Sequence, residues 1–295
     1  MNYHPSYFED EVRDGFFVPS IMKKCWAYSQ ARYEELAALC RENGIEYNAM
    51  YGTLLGAIRC GGFVPWDDDV DVEMLREDYE EFLQVTEKSD QDFLINDFRI
   101  EKNADCSIVR RFSKGEGIFT EFKEWKDCFG FPFRIPIDIF IDDYIPYVEE
   151  EKKEYEILSK LLLKLYYSCV ARILRGGSSK VSEMDKDLRH YVIDMERHLG
   201  IQFTDEYPIT VQLLDEYEKN CGKYKKEQSK ERTLVYKWCE KKDKKYLNQW
   251  YEDYLDVPFE NGRILAMITF CERIIPTICI LKWVPVRMNI LCLTI

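Results

Sequence analysis

At 295 residues, with 46% hydrophobic and 32% charged side chains, the chain can bury a substantial core and reads as globular, either one large domain or a catalytic domain with a helical extension. Its net charge of −13 argues against a protein built to grip nucleic-acid backbones, so no nucleic-acid partner is expected, and an anionic substrate would need local arginine, lysine or metal ions. Eleven cysteines, an odd number without a Cys-x-x-Cys pair, argue against a disulfide framework or a zinc site and fit a reducing cytoplasm. No basic stretch followed by an apolar core opens the chain, and no run approaches the roughly 20 apolar residues that span a bilayer. The expectation is a cytoplasmic protein without a transmembrane segment, or one peripheral at the inner membrane face.

The first predicted element is a helix. Ser20 reads as its cap, and Met22, Cys25, Trp26, Ser29, Tyr33, Leu36 and Cys40 recur at helical spacing until Asn43-Gly44 stops them. Ile45 to Met50 reads as a strand leading into Gly52-Thr53 and a short helix over Leu54–Arg59. A glycine there lets backbone approach a ligand, and a helix start attracts phosphate, so Gly52 and Thr53 are candidate phosphate contacts, with Arg59 secondary. Gly61-Gly62 turns the chain, and Pro65 places the next ladder after it.

The following strand carries acids on alternate positions. Asp69, Asp71 and Glu73 share one face while Val70, Val72 and Met74 share the other. Alpha-carbons two residues apart lie roughly 6–7 Å from each other, close enough for inward-leaning carboxylates to bracket metal ions. Adjacent unpaired acids repel and raise one another's pKa, a conflict that a divalent cation removes. Oxygen ligands without a histidine or cysteine cluster favour Mg²⁺ or Mn²⁺ over Zn²⁺.

Arg76 to Lys88 reads as a helix with Tyr79, Phe82, Leu83 and Thr86 inward, and residues 93–112 as two strands around the turn Lys102 to Asp105. Arg110 and Arg111 would then lie on opposite faces, one of them free to meet phosphate or both in surface ion pairs; Arg110 is carried as a secondary site candidate. In the run Phe133 to Asp143, Ile137, Ile139 and Ile141 form one strand face, and Asp138 lies on the other. An acid flanked by isoleucines is costly to bury unless paired or ligating a metal, which makes Asp138 the candidate third carboxylate.

The run Gly-Thr-Leu-Leu-Gly-Ala-Ile-Arg, continued by Gly-Gly-Phe-Val-Pro-Trp-Asp-Asp-Asp-Val-Asp-Val, closely resembles the signature of the LicD family of phosphotransferases, related to fukutin and fukutin-related protein. The resemblance implies an α/β (α+β) nucleotidyltransferase-like mixed sheet with flanking helices. It implies the Gly52-Thr53 turn and the acids Asp69, Asp71 and Asp138 as catalytic metal ligands, the last within a segment similar to the family's Ile-Asp-Ile-Phe. Trp66 is carried as a nucleotide contact and Asp67 as a secondary acid. The implied reaction moves phosphocholine or a phosphoalditol from a CDP-linked donor to a hydroxyl of a sugar or glycan, cell-surface or lipid-linked, with release of CMP. The alternatives are a nucleotidyltransferase that releases pyrophosphate from a nucleoside triphosphate, and an inactive nucleotide-binding relative.

Past Pro146 the pattern becomes helical: Tyr147 to Arg175, Ser182 to Leu199 and Pro208 to Asn220 are three predicted helices. They suggest a division into a catalytic core over 1–146, a helical acceptor-side subdomain over 147–261 that returns to the core, and an atypical tail over 262–295. His190 and His198, eight residues apart and near one helix face, read as ordinary surface or boundary residues. The basic stretch from Lys223 to Lys245 is placed either to line an anionic substrate or to be a solvated surface. Val257-Pro258-Phe259-Glu260-Asn261 again resembles the family. The tail after it departs from the family's pattern of a polar strand, a helix and a Tyr-Gly-Asp-Tyr-like motif. One permissible back-translation of Glu272 to Cys279, read from the third base of its first codon, gives Thr-Tyr-Tyr-Pro-Asp-Tyr-Met, which points to a frameshift.

Overall fold

A computed structural model describes residues 2–89, 91–103, 107–115, 117–119, 122–234, 246–252 and 254–267. The chain opens with a small hairpin, β1 (Glu11–Arg13) and β2 (Phe16–Val18), followed by the long helix α1 (Ser20–Asn43). Ser20 is the first helical residue rather than the cap: extended Pro19 precedes it, and the Ser20 N–H donates to Asp10 Oδ1 at 2.6 Å. Gly44 ends the helix at φ 72°, a left-handed conformation that glycine adopts without a Cβ clash.

Next come β3 (Asn48–Ala49), α2 (Tyr51–Cys60), β4 (Val70–Leu75) and α3 (Arg76–Glu87). The strand expected over Ile45–Met50 is only two residues long, because just Asn48 and Ala49 meet partners, Glu73 and Val72, on β4. After β5 (Phe93–Asn96), the one-turn helix α4 (Phe98–Glu101) takes the place of the end of the first strand expected there, ahead of Lys102. Asp97 creates it by capping, its side chain accepting from the Arg99 N–H at 2.8 Å. There follow β6 (Arg110–Lys114), α5 (Phe122–Asp127) and the ten-residue β7 (Ile137–Pro146). The three later helices are α6 (Glu149–Ile173), α7 (Lys186–Leu199) and α8 (Ile209–Cys221). β8 (Ser229–Leu234), β9 (Tyr246–Leu247) and the hairpin of β10 (Tyr254–Phe259) with β11 (Gly262–Met267) close the described chain. That hairpin crosses the boundary expected at residue 262. The frameshift reading of the tail lies outside the described residues, as do residues 235–245 of the basic stretch.

The central sheet runs β3-β4-β7-β6-β5, with β8 beside β7 and β9 beyond it. Among the described residues only β4 and β7 pair in parallel, and the sheet's other ladders are antiparallel. β7 is long enough to take β6 along its first half and β8 along its second. Strand alternation splits the sheet into two unlike faces. Val70, Val72, Met74, Ile137, Ile139 and Ile141 are buried in the main core with Trp26, Tyr33 and Leu36 of α1 and Tyr79 and Phe82 of α3. The core continues into the helical extension through Leu162, Leu163 and Tyr166 of α6 and Leu213, Leu214 and Tyr217 of α8. The opposite face carries the acids. Among the described residues no helix is long and apolar enough to cross a membrane.

Candidate active site

The acids meet because β4 and β7 are parallel and in register. Asp71 lies directly opposite Asp138, and Asp69 precedes β4 on the same side. Carboxylate oxygens of Asp69, Asp71 and Asp138 all lie within 4.8 Å of one another, and those of Asp67, Asp68 and Asp69 form a second such group. The sheet's apolar face makes this arrangement rigid, since shifting β4 by one residue would drive Asp71 into the core and Val70 out of it.

The turn before β4 fixes these acids further. Thr53 is buried, and its Oγ1 accepts the Asp71 N–H at 2.9 Å. Thr53 therefore holds the acid strand through its side chain. A Cβ on Gly52 would stand 1.8 Å from Asp67 Oδ2, so the Asp67 carboxylate rests on the glycine and any side chain there would displace it. Tyr51, the first residue of α2, has φ 46°, a strained conformation for a side-chain-bearing residue at the entrance to the site. The Trp26 Nε1–H donates to the Asp67 carbonyl at 2.7 Å and the Cys25 thiol to that of Asp68 at 3.2 Å, tying the acidic loop to α1.

Electrostatically the cluster is uncompensated. Burial first, then the charges of Asp69, Asp138 and Asp67, push the Asp71 carboxyl up to about 9. Burial and neighbouring acids also raise Asp67 and Asp69, which share a hydrogen bond. Burial raises Asp138 as well, against the opposing pull of Arg111. Buried carboxylates that cannot all ionise together, with oxygen as the sole donor type, suit a hard divalent cation.

Not every predicted site residue arrives here. Arg59 sits in the last turn of α2, roughly 10 Å along the helix from Gly52, and pairs with Asp14 at 3.5 Å. Its charge complements the carbonyl end of α2 and does not approach the acids. Trp66 is half-buried, edge-on to Phe16 of β2 at 6.1 Å. Arg110 is the inward one of the arginine pair, fully buried beneath the Phe98 ring and ion-paired with Asp97 at 3.1 Å and Glu218 at 2.9 Å. The residue at the site is its neighbour Arg111, directly across from Asp138 on β6, whose Nε donates to Asp138 Oδ1 at 3.1 Å. Alternation placed the two arginines on opposite faces; the pairing of β6 with β7 decided which face carries the acids.

Glu260 is a further contributor. Its Oε1 accepts from the Phe63 N–H at 3.1 Å and from Arg13 at 2.7 Å, and its own N–H donates to the Gly61 carbonyl at 2.8 Å. A Cβ on Gly62 would meet that same oxygen at 2.2 Å. The Pro-Phe-Glu-Asn run thus clamps the glycine turn that delivers the acid loop.

A glycine turn into a helix start, an acid pair at the start of the next strand and a third acid in register on the parallel neighbour define a nucleotidyltransferase-type domain. Residues 44–159 match the sequence profile described as LicD/FKTN/FKRP, nucleotidyltransferase domain. The chain is 31% identical over 244 residues to the lipopolysaccharide cholinephosphotransferase LicD of Haemophilus influenzae, covering 77% of this chain and 88% of that protein. Shorter stretches resemble uncharacterized proteins of Rickettsia typhi, 45% identical over 47 residues (16% of this chain, 15% of that one), and Rickettsia prowazekii, 40% over 53 residues (18% and 20%). The chain belongs to the LicD family.

Proposed function

We propose that this protein is a metal-dependent phosphotransferase that moves phosphocholine, or a related phospho-group, from a CDP-linked donor to a hydroxyl of a glycan or its lipid-linked precursor, releasing CMP. The observation that carries the reading is the row of acids, Asp69 just before β4, Asp71 on it and Asp138 in register on the next strand, beside the Gly52 turn. The Haemophilus relative, a cholinephosphotransferase by name, supports phosphocholine as the transferred group and lipopolysaccharide as the kind of acceptor.

Asp69, Asp71 and Asp138 would hold Mg²⁺ or Mn²⁺, which when bound supplies positive charge to the donor diphosphate. The first-turn N–H groups of α2 around Gly52 face the same anion. Asp138 would take the proton of the acceptor hydroxyl as its oxygen attacks phosphorus. The new P–O bond forms there as the bond to the CMP oxygen breaks, and the pair of electrons leaves on CMP. Such transfers depend mostly on positioning and charge neutralisation. A location in the cytoplasm, or peripheral at the inner membrane face, would give access to a nucleotide-linked donor and a lipid-linked acceptor.

The test is product analysis. Purified protein is incubated with CDP-choline, CDP-alditols and a nucleoside triphosphate panel, with Mg²⁺ or EDTA, and the nucleotides are separated. Mg²⁺-dependent CMP formation from a CDP-linked donor is expected. Pyrophosphate from a triphosphate, with no CMP from any CDP donor, would replace this reading with a nucleotidyltransferase.

A further inference from the structure

Three neighbouring strands set one row across the sheet: Arg111 on β6, Asp138 on β7 and Asp71 on β4, each paired directly with the next. Strand spacing of about 4.8 Å puts the arginine backbone roughly 10 Å from that of Asp71, within reach of a guanidinium on its long side chain. Arg111 is the cation that contacts this acid row among the described ion pairs. Its side chain is 45% exposed, against 21% for Asp138, so the guanidinium stands at the mouth of the site above the acid. Only Nε donates to Asp138, and neither Nη makes a hydrogen bond among the described residues.

Those features are at odds with a purely structural pair. A buried structural arginine spends its charge within the protein, as Arg110 does one residue earlier: Nε lies 3.1 Å from Asp97 and Nη2 2.9 Å from Glu218 as ion pairs, and Nη1 donates to the Ile108 carbonyl. Arg111 has the same chemistry and the opposite disposition, with its forked end left for something outside the protein. A planar pair of Nη donors suits two oxygens of one phosphate, and the neighbouring carboxylates repel a second anion unless a cation or this arginine compensates them.

We propose that Arg111 anchors the diphosphate of the nucleotide donor through its Nη groups while its Nε orients Asp138. This rests on the phosphotransferase reading and adds to it the residue that grips the donor. A unit positive charge within hydrogen-bond distance of a ligand oxygen works against a divalent cation at the acids and in favour of an anion beside them. Asp138 keeps its place without the arginine because β7 is paired on both edges.

The experiment compares full-length wild type, Arg111→Met and Arg111→Lys, with thermal melts to confirm folding. Mn²⁺ binding alone is followed by electron paramagnetic resonance, and CDP binding in saturating Mn²⁺ by calorimetry. Arg111→Met is expected to weaken CDP by roughly ten- to hundredfold, as for loss of a charge-assisted contact, and to tighten Mn²⁺ by about two- to tenfold. Arg111→Lys should recover the Mn²⁺ value and only part of the CDP affinity, since it keeps the charge and loses the fork. An Arg111→Met variant that binds CDP as tightly as wild type, or Mn²⁺ no more tightly, overturns the inference while leaving the phosphotransferase reading standing. A wild type that binds no CDP at any Mn²⁺ concentration overturns both.

Discussion

The same three strands carry two buried charge clusters that differ in one respect. At the entrance ends of β4 and β7, Asp67, Asp69, Asp71 and Asp138 gather with Arg111 as their only close cation among the described ion pairs. On the other side, Arg110, together with Arg76 at the start of α3, meets Asp97, Asp143 and Glu218 in a closed network that binds the sheet to α8. In that network burial alone would raise the Asp97 carboxyl, but Arg110 and Arg99 hold it down to about 2. In the acid row nothing does the equivalent for Asp71. A folded protein can keep a compensated cluster as structure; an uncompensated one is costly unless a ligand completes it. The contrast teaches that the site is recognised by charge left unbalanced, and that burial of charge alone does not mark it.

The sharpest way to break this contrast is Asp71→Asn. Turnover to CMP should fall by about a thousandfold or more, because several kcal/mol of transition-state charge stabilisation goes with the ligand. The melting temperature without metal should hold or rise, since a repulsion is removed. Near-normal turnover would contradict a metal role for the row. The matching change in the closed network is Arg110→Met, which leaves Asp97 to Arg99 alone and Glu218 to Arg76 alone and should cost about 3 kcal/mol in denaturant unfolding. A cost below about 1 kcal/mol would show that water reaches the network and that the two clusters are not of different kinds.

Glu260→Ala tests what holds the site from outside it. Leaving the Phe63 N–H and Arg13 without their acceptor should cost about 1–3 kcal/mol in the same assay, with a loss of turnover larger than the melt accounts for. Unchanged turnover at lowered stability would confine the clamp to a structural role.

The two clusters should also respond to pH with opposite sign. Asp71, raised from 3.8 to about 9 in the folded state, contributes stability that is complete below its unfolded value and is lost as pH climbs toward 9. Asp97, lowered from 3.8 to about 2, contributes stability present above its unfolded value and lost as pH falls toward 2, roughly 2 kcal/mol in all. Melting curves from pH 5 to 9 should therefore decline without metal, flatten in Asp71→Asn, and gain more from Mg²⁺ at the alkaline end. A wild-type slope identical to the variant's would remove the coupling among the acids. The smallest effect is expected of Arg59→Ala, where the ion pair with Asp14 is exposed and the site is distant: turnover within about twofold and stability within about 0.5 kcal/mol. A twentyfold loss of turnover would return Arg59 to the site.

Local pattern by itself determined the two strands that matter. Alternation of Val70, Val72 and Met74 with Asp69, Asp71 and Glu73, and of three isoleucines with Asp138, fixes which side chains share a face, because the period of a strand is a property of the backbone. Helix ends were similarly legible where one residue decides them, as at Gly44. Strand pairing was not. Whether Asp138 meets Asp71, whether Arg110 or Arg111 meets Asp138, and that Glu260 grips a turn 197 residues earlier all depend on register between distant segments, which no local preference encodes. The sequence supplied acids and arginines on known faces; the folded sheet alone chose which charges would be balanced and which would remain to bind.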